Sequence, residues 1–476
     1  MVRSVFSWGW LMNFAYVNEI VSQLLSNTFS VFCGAGASAD ITNSKWEDIF
    51  CETTRKFYHR KLSDDIYFLA DLEKHYYNAD HFYKDIVSVV SNGSGKESAH
   101  INGIINLNLN QVWTTNFDTH IEETIYRKYR VRPTVIKDSK DLFSVSLNGP
   151  YIVYKLNGSV EDTSSMVLTK SDFFDYFKKQ RLMFELLKRQ LVLDSFLFVG
   201  YSFKDDLVLN ALREIKEIFP EQGKQHYRFS VEAPSNGDTC QEQFRQYERR
   251  YFEDKYNIKT IQLQSYHEID LYLGEIYKRF CNHNVFICGS FREISGEARF
   301  HIEQLVDHLI RRLFEHGFNV YSGNGRGLGE IVVARSNKYQ EQTHGKLINR
   351  PFIFTGDSTP QKQEKNKLIM KDCSTMIIIC GQDESLSTSK NVLDQFHQFM
   401  ADSETGAMPL IIPLPSTGFA AKEIFMSEEF NASSCYRENP QLYQRINVCS
   451  DPEQLAKLVV NLIASYRMEP TVFSMI

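Results

Sequence analysis

The amino-acid sequence predicts an α/β protein with two Rossmann-like domains, each built on a parallel sheet. Strand-like apolar runs alternate with helical patterns along the chain, which is typical of parallel sheets covered by helices. The pattern restarts at Asn284, where "NVFICGS" opens a second series of strands and helices. We therefore expect one domain over residues 13–280 and a second over residues 284–476.

The expected strands are short apolar runs. In chain order they are "FSVFCG", "NQVWTT", "YIVYKL", "SFLFVG" and "IKTIQL" in the first domain, then "NVFICGS", "FNVYSG", "STMIIICG" and "PLIIPLP" in the second. Helices are expected between them, for example at "KWEDIFCETTRKFYHRK" and "RLMFELLKRQLVLD", and the chain closes with the helix "DPEQLAKLVVNLIASYR".

Composition excludes several classes of function. Hydrophobic residues make up 43% and charged residues 24% of the 476, as in soluble globular proteins. The formal net charge of -6 leaves no basic footprint for nucleic acid, and no apolar run is long enough to span a membrane. The nine cysteines form no C-x-x-C pair, so we expect reduced thiols in a cytoplasmic protein without a metal site. The N-terminal segment is interpreted as an arm, with Met12 as an alternative start.

Four polar loops follow strands of the first domain. Ligands of α/β proteins bind at the carboxyl ends of the strands, so these loops are expected to meet in one crevice. Small residues in "GAGAS" would let the backbone approach a phosphate, although G-x-G alone fits a tight turn equally well. Each of the other loops could simply cap a helix, as Asp118 could. The candidate binding residues are Gly34, Ala35, Gly36, Ser38, Asp40, Thr115, Asn116, Gly200, Tyr201 and Ser202.

The order of these loops resembles that of the sirtuins. The sirtuin-like motifs G-A-G-x-S, T-T-N-[FY]-D, K-x-H-G and G-Y-S align with residues 34–38, 114–118, 155–158 and 200–202. Without a zinc ribbon, the domain is similar to bacterial defence NADases rather than to protein deacylases. This resemblance implies cleavage of the nicotinamide–ribose bond of NAD without a metal. It also implies that Asn116 contacts the nicotinamide ribose and helps to place the water, with Asp118 in support.

One position departs from the sirtuin-like pattern. Asn157 occupies the place of the motif's His, which the resemblance makes the general base. An amide cannot accept a proton near neutral pH, so ribose binding could survive while turnover falls by about 100- to 10,000-fold. The resemblance therefore implies an NAD hydrolase that is impaired or inactive in this chain. His120 could replace the base, but its place inside the next helix favours a surface or packing role.

The second domain has a glycine-rich turn between a strand and a helix, "SGNGRGLGE". Such a turn can hold a phosphate, and the alternative is a flexible turn. This half resembles the SLOG family but lacks the P-G-G-x-G-T-x-x-E motif of its enzyme relatives, which implies nucleotide binding without cleavage. Arg350 suits bidentate phosphate contact or a surface salt bridge, and Gln395 stands where a Glu is expected. The candidate signal-binding residues are Gly289, Ser290, Ser322, Gly323, Gly325, Gly329, Arg350, Lys367 and Gln395.

A sirtuin-like domain followed by a SLOG domain resembles the effectors of Thoeris antiphage defence. The resemblance implies a homotetramer, able to form filaments, that hydrolyses NAD when its second domain binds a cyclic ADP-ribose isomer. A partner TIR-domain protein would make that signal. Two alternatives remain at this point. One is a nucleotide-responsive binding or filament protein without hydrolysis, and the other is a protein deacylase.

Overall fold

The structure is a computed structural model. It describes residues 14–42, 49–91, 95–144, 149–203, 207–220, 222–232, 239–351, 368–401 and 408–467. The chain divides into two compact units, Met1–Tyr277 and Lys278–Ile476. Within the described ranges, no helix is long and apolar enough to cross a membrane.

The first unit is built on a sheet of seven parallel strands in the order β3-β4-β2-β1-β5-β6-β7. From β1 the chain proceeds to β2 on one side, whereas from β5 it proceeds to β6 on the other side. Such a reversal marks the place where open α/β sheets bind ligands. The strands are β1 Phe29–Cys33, β2 Gln111–Thr114, β3 Thr134–Ile136, β4 Ile152–Lys155, β5 Ser195–Val199, β6 His226–Val231 and β7 Ile258–Leu263.

The central strands β1 and β5 are buried along their whole length. Their near-continuous apolar sequences follow from burial on both faces of a parallel sheet. Helices of the first unit begin at polar caps, as at Ser98, whose side chain accepts the backbone N–H of Ile101. The helices up to residue 282 are Val17–Leu25, Ala39–Thr42, Glu52–His59, Ile66–Tyr77, Ala79–Val90, Ala99–Asn106, His120–Tyr129, Asp141–Ser144, Lys170–Lys179, Arg181–Leu193, Leu207–Ile218, Thr239–Tyr256 and His267–Asn282.

The second unit has a sheet of five parallel strands in the order β10-β9-β8-β11-β12. Its strands are β8 Asn284–Cys288, β9 Asn319–Ser322, β10 Leu347–Asn349, β11 Thr375–Ile378 and β12 Leu410–Pro413. The two longest helices, Gly296–Glu315 and Pro452–Arg467, pack against each other through apolar residues at helical spacing. The other helices are Leu328–Tyr339, Lys390–Ala401, Phe419–Met426, Glu428–Ala432, Ser434–Glu438 and Pro440–Val448.

The predicted fold class is confirmed, since each unit holds a parallel sheet and all nine predicted strands are present. Three further strands were missed. β3 and β10 are three residues long and only partly buried, so they leave little apolar signal. β6 carries polar His226, Arg228 and Ser230, which interrupt its apolar run. The helix predicted over 45–61 begins at Glu52, and residues 43–48 lie outside the described ranges.

Candidate functional site

The four polar loops of the first unit lie next to each other. They follow β4, β2, β1 and β5, which are adjacent strands in that order. Because these strands are parallel, their carboxyl ends share one edge of the sheet. The loops after β2 and β4 are also joined directly, since Val160 N donates to Phe117 O at 3.0 Å. The structure thus brings the predicted loops together at the switch point of the sheet.

Glycines allow the loops after β1 and β5 to touch backbone to backbone. The N–H groups of Gly34 and Gly36 donate to Val199 O and Gly200 O, both at 2.9 Å. A Cβ on Gly34 would lie 2.5 Å from Gly200 O, and a Cβ on Gly200 would lie 2.1 Å from Ala37 N. Gly200 also has a φ of +64°, which favours glycine. These N–H groups are therefore occupied within the protein, and the glycines are required by the contact itself.

A buried polar cluster connects the loops after β1 and β2. Asp118 Oδ2 accepts from Ser38 Oγ at 3.2 Å, and Asn116 Nδ2 faces the same hydroxyl at 3.5 Å. Asp118 Oδ1 accepts from His120 N at 3.2 Å, whereas the N-cap of the helix His120–Tyr129 is Thr119. Asp118 is therefore not the N-cap, but its carboxylate holds the first N–H of the helix and belongs to the polar cluster.

Several buried polar atoms of this edge lack a hydrogen-bond partner within the described residues. They are Asn116 Oδ1, Asn157 Oδ1 and both ring nitrogens of His120. These three side chains are 5%, 3% and 3% exposed. A buried polar group left unpaired costs about 1–3 kcal/mol, so a ligand that brings hydroxyl or N–H donors would relieve that cost.

His120 takes one of the two placements expected for it. It is the first residue of the helix His120–Tyr129, and it is buried. Of the surface and packing roles, burial excludes the surface one. Helical periodicity located the helix, but it did not indicate that the first residue faces inward at the sheet edge.

A buried ion pair, which the sequence analysis missed, supports the loop after β2. Lys155, at the end of β4, is fully buried, and its ammonium contacts Glu122 Oε1 at 2.8 Å. It also donates to the carbonyl oxygens of Phe117 and Asp118. Burial raises the pKa of Glu122, and the Lys155 charge acts in the opposite direction. A lysine inside the apolar run "YIVYKL" was the signal that could have revealed this pair.

The loop that carries Asn157 is fixed by its backbone. Asn157 O accepts from Val167 N at 2.9 Å. Gly158 has a φ of +87°, and a Cβ there would lie 2.2 Å from Ser165 O. The Asn157 side chain is therefore presented from a well-defined loop, with its oxygen unpaired in the described structure.

The remaining candidates of the first unit have different surroundings. Asp40 Oδ2 accepts from Ala99 N at 2.8 Å, a contact at the start of the helix Ala99–Asn106. Thr115 is buried, and its N–H donates to Cys33 O. The Tyr201 ring packs 4.7 Å from the ring of Phe32, whereas Ala35 and Ser202 are exposed. Ser98, which was not predicted, donates to Ala37 O and supports the first loop.

The second unit has a cavity of about 840 Å³ at the carboxyl ends of β8, β9 and β11. Four of the predicted signal-binding residues on its two glycine-containing loops line it: Gly289, Ser290, Gly323 and Gly325. A Cβ on Gly325 would lie 2.1 Å from Gly289 O, so glycine is needed where these loops meet. Gln395 also lines the cavity, and its Oε1 accepts from the Cys288 thiol at 2.8 Å.

Gln382, which the sequence analysis did not single out, holds one wall of this cavity. Its Oε1 accepts from the N–H groups of Arg292 and Glu293, and its Nε2 donates to Glu293 O at 3.0 Å. Ser290 Oγ donates to the carbonyl oxygen of Gln382 at 2.8 Å. The loops after β8 and β11 are therefore tied together by a satisfied polar network.

Three predicted signal-binding residues lie outside the cavity lining. Arg350 pairs with the buried carboxylate of Asp372 at 2.8 Å and stacks over the Tyr321 ring. The neighbouring Asp372 charge raises the pKa of Arg350 against the opposing effect of burial. Ser322 Oγ accepts from Asn324 N, and Gly329 packs against the Asn324 backbone. Lys367 lies outside the described residues.

Comparisons with known proteins match both units. Residues 110–261 match the SIR2-like domain family, and residues 268–466 match the Sir2- and TIR-associating SLOG family. A relative named NAD(+) hydrolase ThsA from Enterococcus faecium is 24% identical over 468 residues, covering 92% of this chain and 95% of the relative. Over nearly its whole length, the chain is therefore similar to proteins named NAD(+) hydrolase ThsA.

Two further ThsA relatives align over most of their length. The protein from Bacillus cereus is 25% identical over 436 residues, covering 87% of this chain and 90% of the relative. The protein from Acinetobacter baumannii is 24% identical over 495 residues, covering 93% of this chain and 98% of the relative. Both carry the name NAD(+) hydrolase ThsA. The loops after β2, β4 and β5 fall in the segment matched to the SIR2-like family, and the second-unit cavity falls in the segment matched to the SLOG family.

Proposed function

We propose that this chain hydrolyses NAD to ADP-ribose and nicotinamide at the carboxyl edge of the first sheet. The observation that carries the proposal is the convergence of four polar loops at adjacent strands, where buried oxygens of Asn116 and Asn157 lack a hydrogen-bond partner within the described ranges. The name of the ThsA relatives, NAD(+) hydrolase, supports the same activity. NAD is the substrate, and the reaction needs no metal.

The residues of the polar cluster suit the chemistry of glycosidic cleavage. As nicotinamide leaves, positive charge develops on the ribose in an oxocarbenium-like transition state. Asn116 would orient the ribose and the attacking water, and Asp118 would fix Asn116 through the shared Ser38 hydroxyl. A dry site strengthens these interactions because charges are poorly screened away from water.

Asn157 would bind a ribose hydroxyl without accepting a proton. We therefore expect the chain to bind NAD and to turn it over slowly. Replacing the amide by an imidazole restores a group that can be a base near neutral pH, which is typically worth about 100- to 10,000-fold in rate.

The second-unit cavity would be the receptor for the activating nucleotide, a cyclic ADP-ribose isomer. Its volume of about 840 Å³ lies within the common range for ligand sites, and its glycine-containing loops place backbone close to a ligand. The description of the matched family, Sir2- and TIR-associating, supports a functional partner with a TIR domain that makes this signal. The predicted residues outside the cavity lining would then support the wall without contacting the nucleotide. They are Ser322, Gly329 and Arg350.

On this proposal the chain is an antiphage effector that depletes NAD after infection. By the same resemblance it would work as a homotetramer able to form filaments. The rival hypothesis is a nucleotide-responsive protein without hydrolysis, and Asn157 is the observation in its favour.

The test follows NAD loss and nicotinamide release by this chain and its Asn157→His variant, each with and without a cyclic ADP-ribose isomer. Signal-dependent NAD loss, faster in Asn157→His, is the expected result. If both proteins bind both nucleotides but neither consumes NAD, the hydrolase proposal is contradicted and the nucleotide-responsive protein without hydrolysis is supported.

A further inference from the structure

We infer that His120 serves as the general base in place of Asn157, by accepting the proton of the attacking water, and so carries the residual NAD turnover of this chain. This inference rests on the proposed function and names a further catalytic residue for it. The relevant observation is a buried imidazole, at the same sheet edge as Asn116 and Asn157, whose two ring nitrogens have no hydrogen-bond partner in the described part of the chain.

The pairing of His120 sets it apart from the other buried histidines of the first unit. His100 Nδ1 contacts Asp270 at 2.5 Å, and His226 Nδ1 accepts from Phe196 N at 3.1 Å. Both ring nitrogens of His120, in contrast, are buried and lack a hydrogen-bond partner among the described residues. A neutral imidazole has one donor and one acceptor, so leaving both unused is costly unless a ligand engages them.

The surroundings of His120 connect it to the polar cluster. Its backbone N–H is held by Asp118 Oδ1, and the other oxygen of that carboxylate contacts Ser38, which faces Asn116. Lys155 contacts both the Asp118 carbonyl oxygen and the Glu122 carboxylate, and these contacts hold the first turn of the helix His120–Tyr129 in place. Lys155 is the last residue of β4, and Asn157 lies two residues after it in the loop that follows this strand.

The step balances without any further reactant. The bond between the ribose C1′ and the nicotinamide nitrogen breaks, and its electron pair leaves with nicotinamide. A water oxygen forms the new bond to C1′, and the unprotonated ring nitrogen of His120 takes the proton of that water. The imidazolium then releases the proton to solvent, and the net products are ADP-ribose, nicotinamide and one proton.

The test compares NAD turnover by the parent chain, His120→Ala, Asn157→His and the double variant, all with the cyclic ADP-ribose isomer present. We expect His120→Ala to lower kcat by about 100-fold or more, as loss of a general base does, while NAD binding by calorimetry changes little. The double variant should regain the turnover of Asn157→His, because a base at residue 157 makes His120 dispensable. His75→Ala, an exposed histidine of the same unit, is the control and should match the parent.

Two outcomes overturn the inference while the proposed function stands. One is full turnover in His120→Ala. The other is a double variant as inactive as His120→Ala although it still binds NAD, which would give His120 a structural role. An inactive parent also overturns it, and Asn157→His then separates the two proposals: turnover there preserves the proposed function, and no turnover removes both.

Discussion

The two candidate sites differ in how their polar atoms are paired. At the first-unit edge, the side-chain oxygens of Asn116 and Asn157 are buried and have no hydrogen-bond partner among the residues that the structure describes. In the second unit, the cavity is open, and Gln382 on its wall has both amide atoms hydrogen-bonded. Among the described residues, no side-chain nitrogen or oxygen of the cavity lining is buried without a hydrogen-bond partner.

This difference is the one expected between a reaction site and a receptor. Groups held dry and unpaired are strained in the free protein and interact strongly with a substrate that engages them. A cavity wall whose polar atoms are already hydrogen-bonded carries no energetic penalty without a ligand, and the cavity can still accept one. Both sites nevertheless use glycines in the same way, to bring two loops together at the carboxyl ends of parallel strands.

The largest effect is expected at Lys155, because it supports the first site from within the core. Lys155→Met leaves Glu122 buried without its cation, which should lower the free energy of unfolding by about 3–5 kcal/mol. Urea denaturation measures this change. The double variant Lys155→Met with Glu122→Gln removes the unpaired charge and should recover part of the loss. If the single and double variants lose the same free energy of unfolding, the unpaired Glu122 carboxylate is not the cause of the loss.

Next in size is the contact between the loops after β1 and β5. Gly200→Ala places a methyl group 2.1 Å from Ala37 N at a φ of +64°, so we expect a loss above about 2 kcal/mol and weaker NAD binding. Gly95→Ala is the matched control, since Gly95 has a φ of +82° and an added methyl group would meet no atom of the described residues within 4 Å. Its cost should be only the roughly 1–2 kcal/mol of a left-handed alanine. Similar losses in both would mean that backbone strain, not the loop contact, governs Gly200.

Strand order and loop chemistry explain what the sequence could predict. The loops containing Gly34, Asn116, Asn157 and Gly200 were found because each follows a recognisable apolar strand. Lys155 and Gln382 were missed, since their roles depend on partners far away along the chain. Arg350 fits phosphate by its chemistry, but its pairing with Asp372 is set by tertiary packing that no local pattern indicates.

A smaller and selective effect is expected in the second unit. Gln382→Ala removes the acceptor for two backbone N–H groups, which should cost about 1–3 kcal/mol and weaken binding of the cyclic ADP-ribose isomer. Calorimetry should show NAD binding unchanged. Glu453→Gln, which breaks surface pairs with Arg311 and Arg312 away from the cavity lining, should leave both affinities near those of the parent. If Gln382→Ala weakens the binding of NAD as well as that of the cyclic nucleotide, the claim that the two nucleotides bind at different sites is contradicted.

The last effect depends on pH. Burial raises the pKa of Glu73, which contacts Cys51 and Thr54, from 4.5 to about 7. The folded state therefore favours the protonated carboxyl. This contribution is fully present below the unfolded value of 4.5 and is lost as pH rises through about 7. The melting temperature of the parent should fall relative to that of Glu73→Gln between pH 5 and pH 8, and parallel curves would contradict the assignment.

The most direct test of the central claim couples the two sites in one protein. Nicotinamide release by Asn157→His is titrated with a cyclic ADP-ribose isomer and compared with the same variant carrying Gly325→Ala, whose methyl group would meet Gly289 O in the second-unit cavity. We predict saturable, signal-dependent release in the first protein and little release in the second. Release that is independent of the signal nucleotide, or equal in both proteins, would contradict control of the first site by the second.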